Sequence, residues 1–166
     1  MILYVLRHAI AKDRENWNKR DSDRPLTKEG QRKMRKAAKG LKQLKLNPDW
    51  ILTSPYRRAR HTAEIVADEL NLGKKLKTLE ELKSEANPQQ LVHKLAREHK
   101  SKDSVLIVGH EPYLSRLISV LIGASSPLSL DLKKGGICKL EAESLNYGRC
   151  ATLEWWIPPK LLRQLD

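Results

Sequence analysis

The chain predicts an α/β sandwich around a mixed, mostly parallel sheet, on three observations. Short apolar runs alternate with stretches of helical apolar spacing through most of the 166 residues. Two of those runs, Ile2 to Leu6 and Ser104 to Val108, are strongly apolar, as central strands buried on both faces are. Two further β segments, Ile137 to Ala142 and Ala151 to Ile157, follow one another near the C-terminus. Their connection near Asn146-Tyr147-Gly148 makes them antiparallel neighbours, so the sheet is mixed.

Taken in order, Ile2 to Leu6 is a central strand, and the polar residues Ala11 to Pro25 form a loop at its end with Trp17 as the lone large apolar group. Thr27 caps a helix carrying Met34, Ala37, Ala38, Leu41 and Leu44 on one face, which Asn47-Pro48 ends. Trp50 to Thr53 is a short strand. Arg58 to Leu70 is a helix whose Ala59, Ala63, Val66, Ala67 and Leu70 share a side, with Gly73 as the expected terminator. Leu76 to Leu79 reads as a further short strand. Asn87 caps the helix Pro88 to His99, and the helix Tyr113 to Ile122 ends at Gly123. Pro158-Pro159 closes the last strand before a short terminal helix. The chain is expected to form one domain, residues 1 to 166.

The formal net charge of +12 favours an anionic partner such as nucleic acid, a phosphorylated metabolite or an acidic protein face, although most surplus cations serve solubility. Cys138 and Cys150 form no CxxC motif, so neither zinc nor redox chemistry is indicated. No run approaches the ~18 apolar residues of a membrane span. Arg7 and His8 interrupt the first apolar run, which is therefore no signal peptide, and the cytosol is the default compartment.

Three fragments carry the chemistry. Leu6-Arg7-His8-Ala9, Thr53-Ser54-Pro55-Tyr56-Arg57-Arg58-Ala59 and Val108-Gly109-His110-Glu111-Pro112 each follow a strand candidate. Ligands of α/β sheets bind at such strand ends. Singly, each residue has an ordinary explanation: a structural His8, a solvated Arg58, a glycine easing a turn before His110. Jointly they describe a phosphate pocket. Arginine forks suit phosphoryl oxygens, so Arg7 and Arg58 can grip separate ones. A neutral imidazole can attack phosphorus and carry the group as a phosphoenzyme, its tautomer fixed by a carbonyl on the other nitrogen. A second histidine, when protonated, adds a donor. No metal is needed for this scheme, and there is no HExxH motif, cysteine cluster, carboxylate trio or P-loop. His61, His93 and His99 lack comparable context and are read as structural.

These fragments, extended to Arg60-His61-Thr62-Ala63, resemble the histidine phosphatase superfamily, the group that contains the cofactor-dependent phosphoglycerate mutases. The stretch Arg24-Pro25-Leu26-Thr27-Lys28-Glu29-Gly30 and the small size resemble its short SixA-type phosphohistidine phosphatases. Gly135-Gly136 before the late strand also fits. The resemblance spans Ile2 to about Ile157. It implies a three-layer α/β/α sandwich of the phosphoglycerate mutase-like kind. It also implies His8 as the phosphorylated nucleophile, Arg7 and Arg58 as phosphoryl ligands and His110 as the group completing a charged pocket, without cofactor or metal.

Two positions depart from the pattern of larger relatives. Ala9 stands where many have glycine. A general acid between the second and third motifs is not evident, with Glu80, Glu81 and Glu85 as the nearby choices and none as the other. A phosphohistidine P–N bond breaks readily once its imidazole is protonated, so a strong acid is less necessary than for an alkoxide.

The function expected is a metal-independent phosphatase for phosphohistidine in a protein, such as the phosphotransfer domain of a signalling relay. One alternative is a phosphatase of small phosphate esters; a mutase is disfavoured for want of residues for a lid. Another is a non-catalytic basic module for nucleic acid or polyphosphate, suggested by Lys33, Arg35, Lys36, Lys39, Lys42 and Lys45 together with Arg57, Arg58 and Arg60. No aromatic residues interleave them, which disfavours nucleic acid.

Overall fold

The computed structural model describes residues 1–123 and 128–165. Six strands form one sheet: β1 (Ile2–Arg7), β2 (Trp50–Thr53), β3 (Leu76–Thr78), β4 (Ser104–Gly109), β5 (Ile137–Glu141) and β6 (Thr152–Ile157). Their spatial order is β3-β2-β4-β1-β5-β6, with the first four parallel, β5 antiparallel to β1 and β6 antiparallel to β5. The expected mixed sheet is therefore present, and the late pair lies beside β1.

Alternation along each strand divides the core in two. Leu3, Val5, Leu52, Val105 and Ile107 face one layer. Against them pack α3 (Pro88–Glu98), through Leu91 and Leu95, and α4 (Tyr113–Ile122), through Leu114, Leu117 and Ile118. Leu6, Ile51, Leu106, Val108 and Ile137 face the other layer. There α1 (Lys28–Gln43) brings Met34, Ala38 and Leu41, α2 (Arg57–Glu69) brings Ala59, Ala63 and Val66, and α5 (Pro159–Leu162) brings Leu162. Helices on both faces of a mixed sheet make the three-layer sandwich.

The cap signals act as read: Thr27 accepts from the Gly30 amide at 2.9 Å, and Asn87 from the Gln89 amide at 2.9 Å. Gly123 ends α4 in the left-handed region, with φ of 89°. Two expected stops differ. After α2 the left-handed residue is Asn71, not Gly73, and Gly73 instead opens a 3-10 turn, Gly73–Lys75. After α1 it is Lys45, two residues before Asn47-Pro48. In both places the left-handed residue closes the helix through backbone bonds, Leu46 N to Leu41 O at 3.1 Å and Leu72 N to Ala67 O at 2.7 Å, and the leucine that follows packs back on the core. The loop after β1 is also more ordered than its composition suggests. It contains a bridge between Ala11 and Leu26 and a 3-10 turn, Asp21–Asp23.

Gly30 matters for the site because a methyl there would collide with the Ile10 carbonyl. The head of α1 thus rests directly on the segment leaving His8, and the Thr27 amide bonds the same carbonyl at 3.0 Å.

Candidate active site

Register brings the three motifs together. Arg7 on β1 lies opposite Gly109 on β4, and Thr53 on β2 lies opposite Val108. The next amides continue the ladder: His8 N bonds Gly109 O at 3.0 Å, and Ser54 N bonds Val108 O at 3.0 Å. Three parallel strands therefore end at one level, and His8, Ser54 and His110 step off the same sheet edge. The His8 and His110 ring centroids are 5.2 Å apart. Arg58 enters from the first turn of α2, and its Nε donates to His8 Nε2 at 3.3 Å.

His8 is 5% exposed. Its Nδ1 lies 2.7 Å from the Ala9 carbonyl, an acceptor only, so Nδ1 carries the hydrogen and Nε2 the lone pair. Burial is the main reason the ring's pKa falls well below the ordinary imidazole value, with His110, Arg58 and Arg7 adding to the effect against the Ala9 bond.

His110 is 1% exposed, and its Nε2 lies 2.8 Å from Ser54 Oγ. That oxygen also accepts the Tyr56 amide at 3.3 Å, and we assign its hydroxyl hydrogen to Nε2. The His110 hydrogen is then on Nδ1, which is buried and has no protein partner. Burial, with Arg58 next, pushes the His110 pKa down to about 3, against the opposing pull of Asp21 and Glu85. The extra donor that a protonated His110 would supply is therefore not present at neutral pH. The ring is neutral at neutral pH and remains a donor through Nδ1.

Backbone carbonyls hold both arginines, and a carboxylate also holds Arg58. Arg7 NH1 donates to Leu132 O at 2.8 Å, while its Nε is buried without a partner. The Gly135 amide bonds Arg7 O, and the Arg7 amide bonds Gly136 O, each at 3.1 Å, so the glycine pair before β5 clasps the end of β1. Gly135 does this with φ of 81°, which favours glycine. Arg58, 4% exposed, donates through NH1 to Asp21 O at 2.8 Å and pairs through NH2 with Asp21 Oδ2 at 2.9 Å. Two buried nitrogens without partners, Arg7 Nε and His110 Nδ1, lie near an imidazole nitrogen that accepts only from Arg58 Nε, and such a set can bind and transfer a tetrahedral oxyanion.

The sequence reading assigned no part to Asp21, Arg24, Thr62, Ser54 or Tyr56. Asp21 also accepts Arg24 Nε at 2.9 Å, linking the loop to Arg58. An acidic residue three before an arginine was the available signal. Thr62 Oγ1 donates to Arg58 O at 2.7 Å and accepts the Ala9 amide at 3.0 Å, which ties α2 to the chain leaving His8. The Tyr56 ring centroid is 5.1 Å from that of His110 and 5.1 Å from Arg58 Cζ, so this ring walls the cluster. Outside the wall lies an open groove of about 840 Å³ lined by Pro55, Tyr56, Arg57, Arg60, His61 and Lys83. His61 belongs to that groove and not to the cluster.

The three glutamates separate. Glu80 pairs with Lys83. Glu81 turns to α3 and pairs with Lys94 at 3.0 Å. Partial burial works to raise its pKa, but its own backbone amide and Lys94 leave it below the ordinary value. Glu85 alone reaches the wall of the cluster, accepting the Tyr56 hydroxyl at 2.8 Å.

Comparison with known proteins agrees with this geometry. The chain is 37% identical over 143 residues to an uncharacterized protein of Picosynechococcus sp. (strain ATCC 27264 / PCC 7002 / PR-6), covering 86% of each. It is 33% identical over 130 residues to the phosphohistidine phosphatase SixA of Escherichia coli (strain K12), covering 76% of this chain and 78% of that one. The structure of the protein histidine phosphatase SixA complexed with tungstate superposes with a TM-score of 0.82 at 28% identity, over 98% of this chain and 99% of the other. The family pattern of the histidine phosphatase superfamily (branch 1) matches residues 3–87, which include β1, the Asp21 loop and the head of α2. With that match and these relatives, the strand-end cluster has its class: the chain is a phosphatase and belongs to the histidine phosphatase superfamily.

Proposed function

We propose that this phosphatase hydrolyses phosphohistidine in a protein through a phosphoenzyme on His8. The observation that carries the reading is the His8 tautomer. The Ala9 carbonyl holds hydrogen on Nδ1, and the Nε2 lone pair lies among Arg58, Arg7 and His110. Depression of the His8 pKa keeps that lone pair available at neutral pH.

In the proposed sequence Arg7 and Arg58 hold phosphoryl oxygens, and His110 Nδ1–H donates to another. Charge on the transferring group is met by fixed donors, so the scheme needs no metal ion. Arg58 Nε must yield its contact with His8 Nε2 as phosphorus approaches; NH1 and NH2, anchored on Asp21, keep the guanidinium in place meanwhile. His8 Nε2 forms the new P–N bond as the leaving group departs, and the Ala9 carbonyl supports the resulting imidazolium. Water then attacks phosphorus, the bond to Nε2 breaks, and phosphate leaves.

Similarity to a phosphohistidine phosphatase supports the substrate class, as does the open groove beside Tyr56, which offers room for a protein surface. Wild type and His8→Ala should be compared on a phosphohistidine-bearing protein and on a panel of sugar phosphates. The expected result is phosphate release from the protein by wild type alone, with an acid-labile, alkali-stable phosphoenzyme. Turnover by His8→Ala would refute the nucleophile, and faster hydrolysis of a small ester than of the protein would refute the substrate class.

A further inference from the structure

One carboxylate, Glu85, stands at the outer end of the Tyr56 side chain. The Tyr56 hydroxyl lies 2.8 Å from both Glu85 oxygens, and Ser84 Oγ donates to Oε2 at 2.9 Å. The inner face of the same phenol ring packs on His110 and Arg58. Glu85 therefore lies one phenol ring outward of the phosphoryl pocket, exposed, with its two oxygens steered by two hydroxyls. The Tyr56 hydrogen bond, ahead of the opposing effect of slight burial, keeps it ionised below the ordinary carboxyl range. It is thus an acceptor at neutral pH and not a proton donor.

A phosphorylated imidazole has a use for such an acceptor, and a phosphate ester has none. The ring bears phosphorus on one nitrogen and presents the other on its far side, away from the pocket. With hydrogen on that remote nitrogen, the ring leaves as neutral imidazole. Without it, the ring must leave as an anion. An alcohol needs its proton on the departing oxygen itself, inside the pocket.

Building on the phosphohistidine reading above, we propose that Glu85, steered by Tyr56 and Ser84, accepts a hydrogen bond from the remote ring nitrogen of the substrate phosphohistidine and so selects a protonated imidazole over an alcohol as leaving group. In this step His8 Nε2 contributes its pair to a new P–N bond. The substrate P–N bond breaks, and its pair returns to the substrate ring. The proton stays on the remote nitrogen, so the ring departs neutral. His8 becomes a phosphorylated imidazolium with its Nδ1–H on the Ala9 carbonyl. The two rings exchange one phosphoryl group, each with an oxygen acceptor behind it.

The groups that face Glu85 are Tyr56 at the head of α2, Lys83 and Ser84 on its own turn, and His110 at the end of β4. Tyr56 is raised above the ordinary phenol value, chiefly by burial and then by Glu85, and so does not titrate near neutrality.

The test uses the full chain with two probes, a phosphohistidine-bearing protein and p-nitrophenyl phosphate, on wild type, Glu85→Gln and Tyr56→Phe. Glu85→Gln should lower the ratio of kcat/KM for phosphohistidine over the ester by about tenfold, and move the alkaline limb of the phosphohistidine profile down by about one pH unit. Tyr56→Phe retains the ring against His110 but releases Glu85, and should lower the ratio by a smaller factor. An unchanged ratio in Glu85→Gln, or an unmoved alkaline limb, would overturn the proposal. If wild type itself spared phosphohistidine and hydrolysed only the ester, the fault would lie with the proposed substrate class and not with Glu85 alone.

Discussion

His8 and His110 are buried imidazoles whose pKa values are held low by burial and by neighbouring arginines. That has a consequence for stability. A folded pKa below the unfolded value of about 6.5 means that the unfolded chain binds more protons between the two values, so stability rises with pH across that window. For His110 the window runs from about 6.5 down to about 3, and stability is lost as pH falls through it. His110→Gln should therefore lose less thermal stability than wild type between pH 7 and pH 4, as read by Tm across a pH series. A steeper loss in the variant would show that His110 is not neutral in the fold. Arg58 poses a different question at the same scale. Its fork is divided among His8 Nε2, Asp21 O and Asp21 Oδ2, a division that an ammonium cannot reproduce. Arg58→Lys keeps the charge but should lower kcat/KM by roughly 100-fold, the effect of losing one well-placed donor to a transferring anion. Retention of near wild-type kcat/KM would reduce Arg58 to a point charge.

Among the elements, the head of α2 and the end of β1 depend on each other through one hydroxyl. Thr62 Oγ1 joins the Arg58 carbonyl to the Ala9 amide, one residue beyond His8. Thr62→Val preserves shape while leaving the buried Ala9 N–H unpaired, at a cost of about 1–3 kcal/mol. Denaturant unfolding should show a lower midpoint with an unchanged slope, and kcat should fall because Arg58 and His8 are no longer tied together. The head of α1 is the second support. A side chain at position 30 drives against the Ile10 carbonyl, so Gly30→Ala should cost about 1–3 kcal/mol and displace the segment leaving His8. A Tm equal to that of wild type would mean that α1 can recede without cost.

On the scale of the whole molecule, charge is unevenly placed. Between residues 28 and 45 there are eight Lys or Arg and a single acid, Glu29, so this stretch holds seven of the twelve net positive charges. Arg32, Arg35, Lys36, Lys39 and Lys42 are exposed on α1, while Met34, Ala38 and Leu41 face the core. The groove beside the site is mixed, with Arg57, Arg60 and Lys83 facing Asp23, Glu64 and Glu80. A field of this shape draws acidic partners toward the molecule without choosing their register. The kcat/KM for an acidic phosphohistidine protein should fall by on the order of tenfold from low to high ionic strength, with kcat itself nearly constant. Salt-independent kcat/KM would leave the surplus charge to solubility. No helix of the described residues is long and apolar enough to cross a membrane.

Much of this molecule is written in local pattern. Apolar runs and helical spacing specify β1, β2, β4 and the faces of α1 to α4, because burying those side chains is the dominant local demand and its period is visible in the chain. His8, Arg7, Arg58 and His110 were legible because strand ends of an α/β sheet are where ligands bind, and the motifs stop there. Only the tertiary structure decided how those groups behave. The neutral state of His110 comes from burial and from Arg58, fifty-two positions away in the chain. Asp21 reaches Arg58 because a loop with no apolar period folds over the site. Choosing among Glu80, Glu81 and Glu85 was impossible from sequence, since three neighbouring carboxylates share one composition. Their turn sends Glu81 to Lys94 and Glu85 to Tyr56, and this distance-dependent pairing, which a linear pattern does not contain, sets their different chemistry.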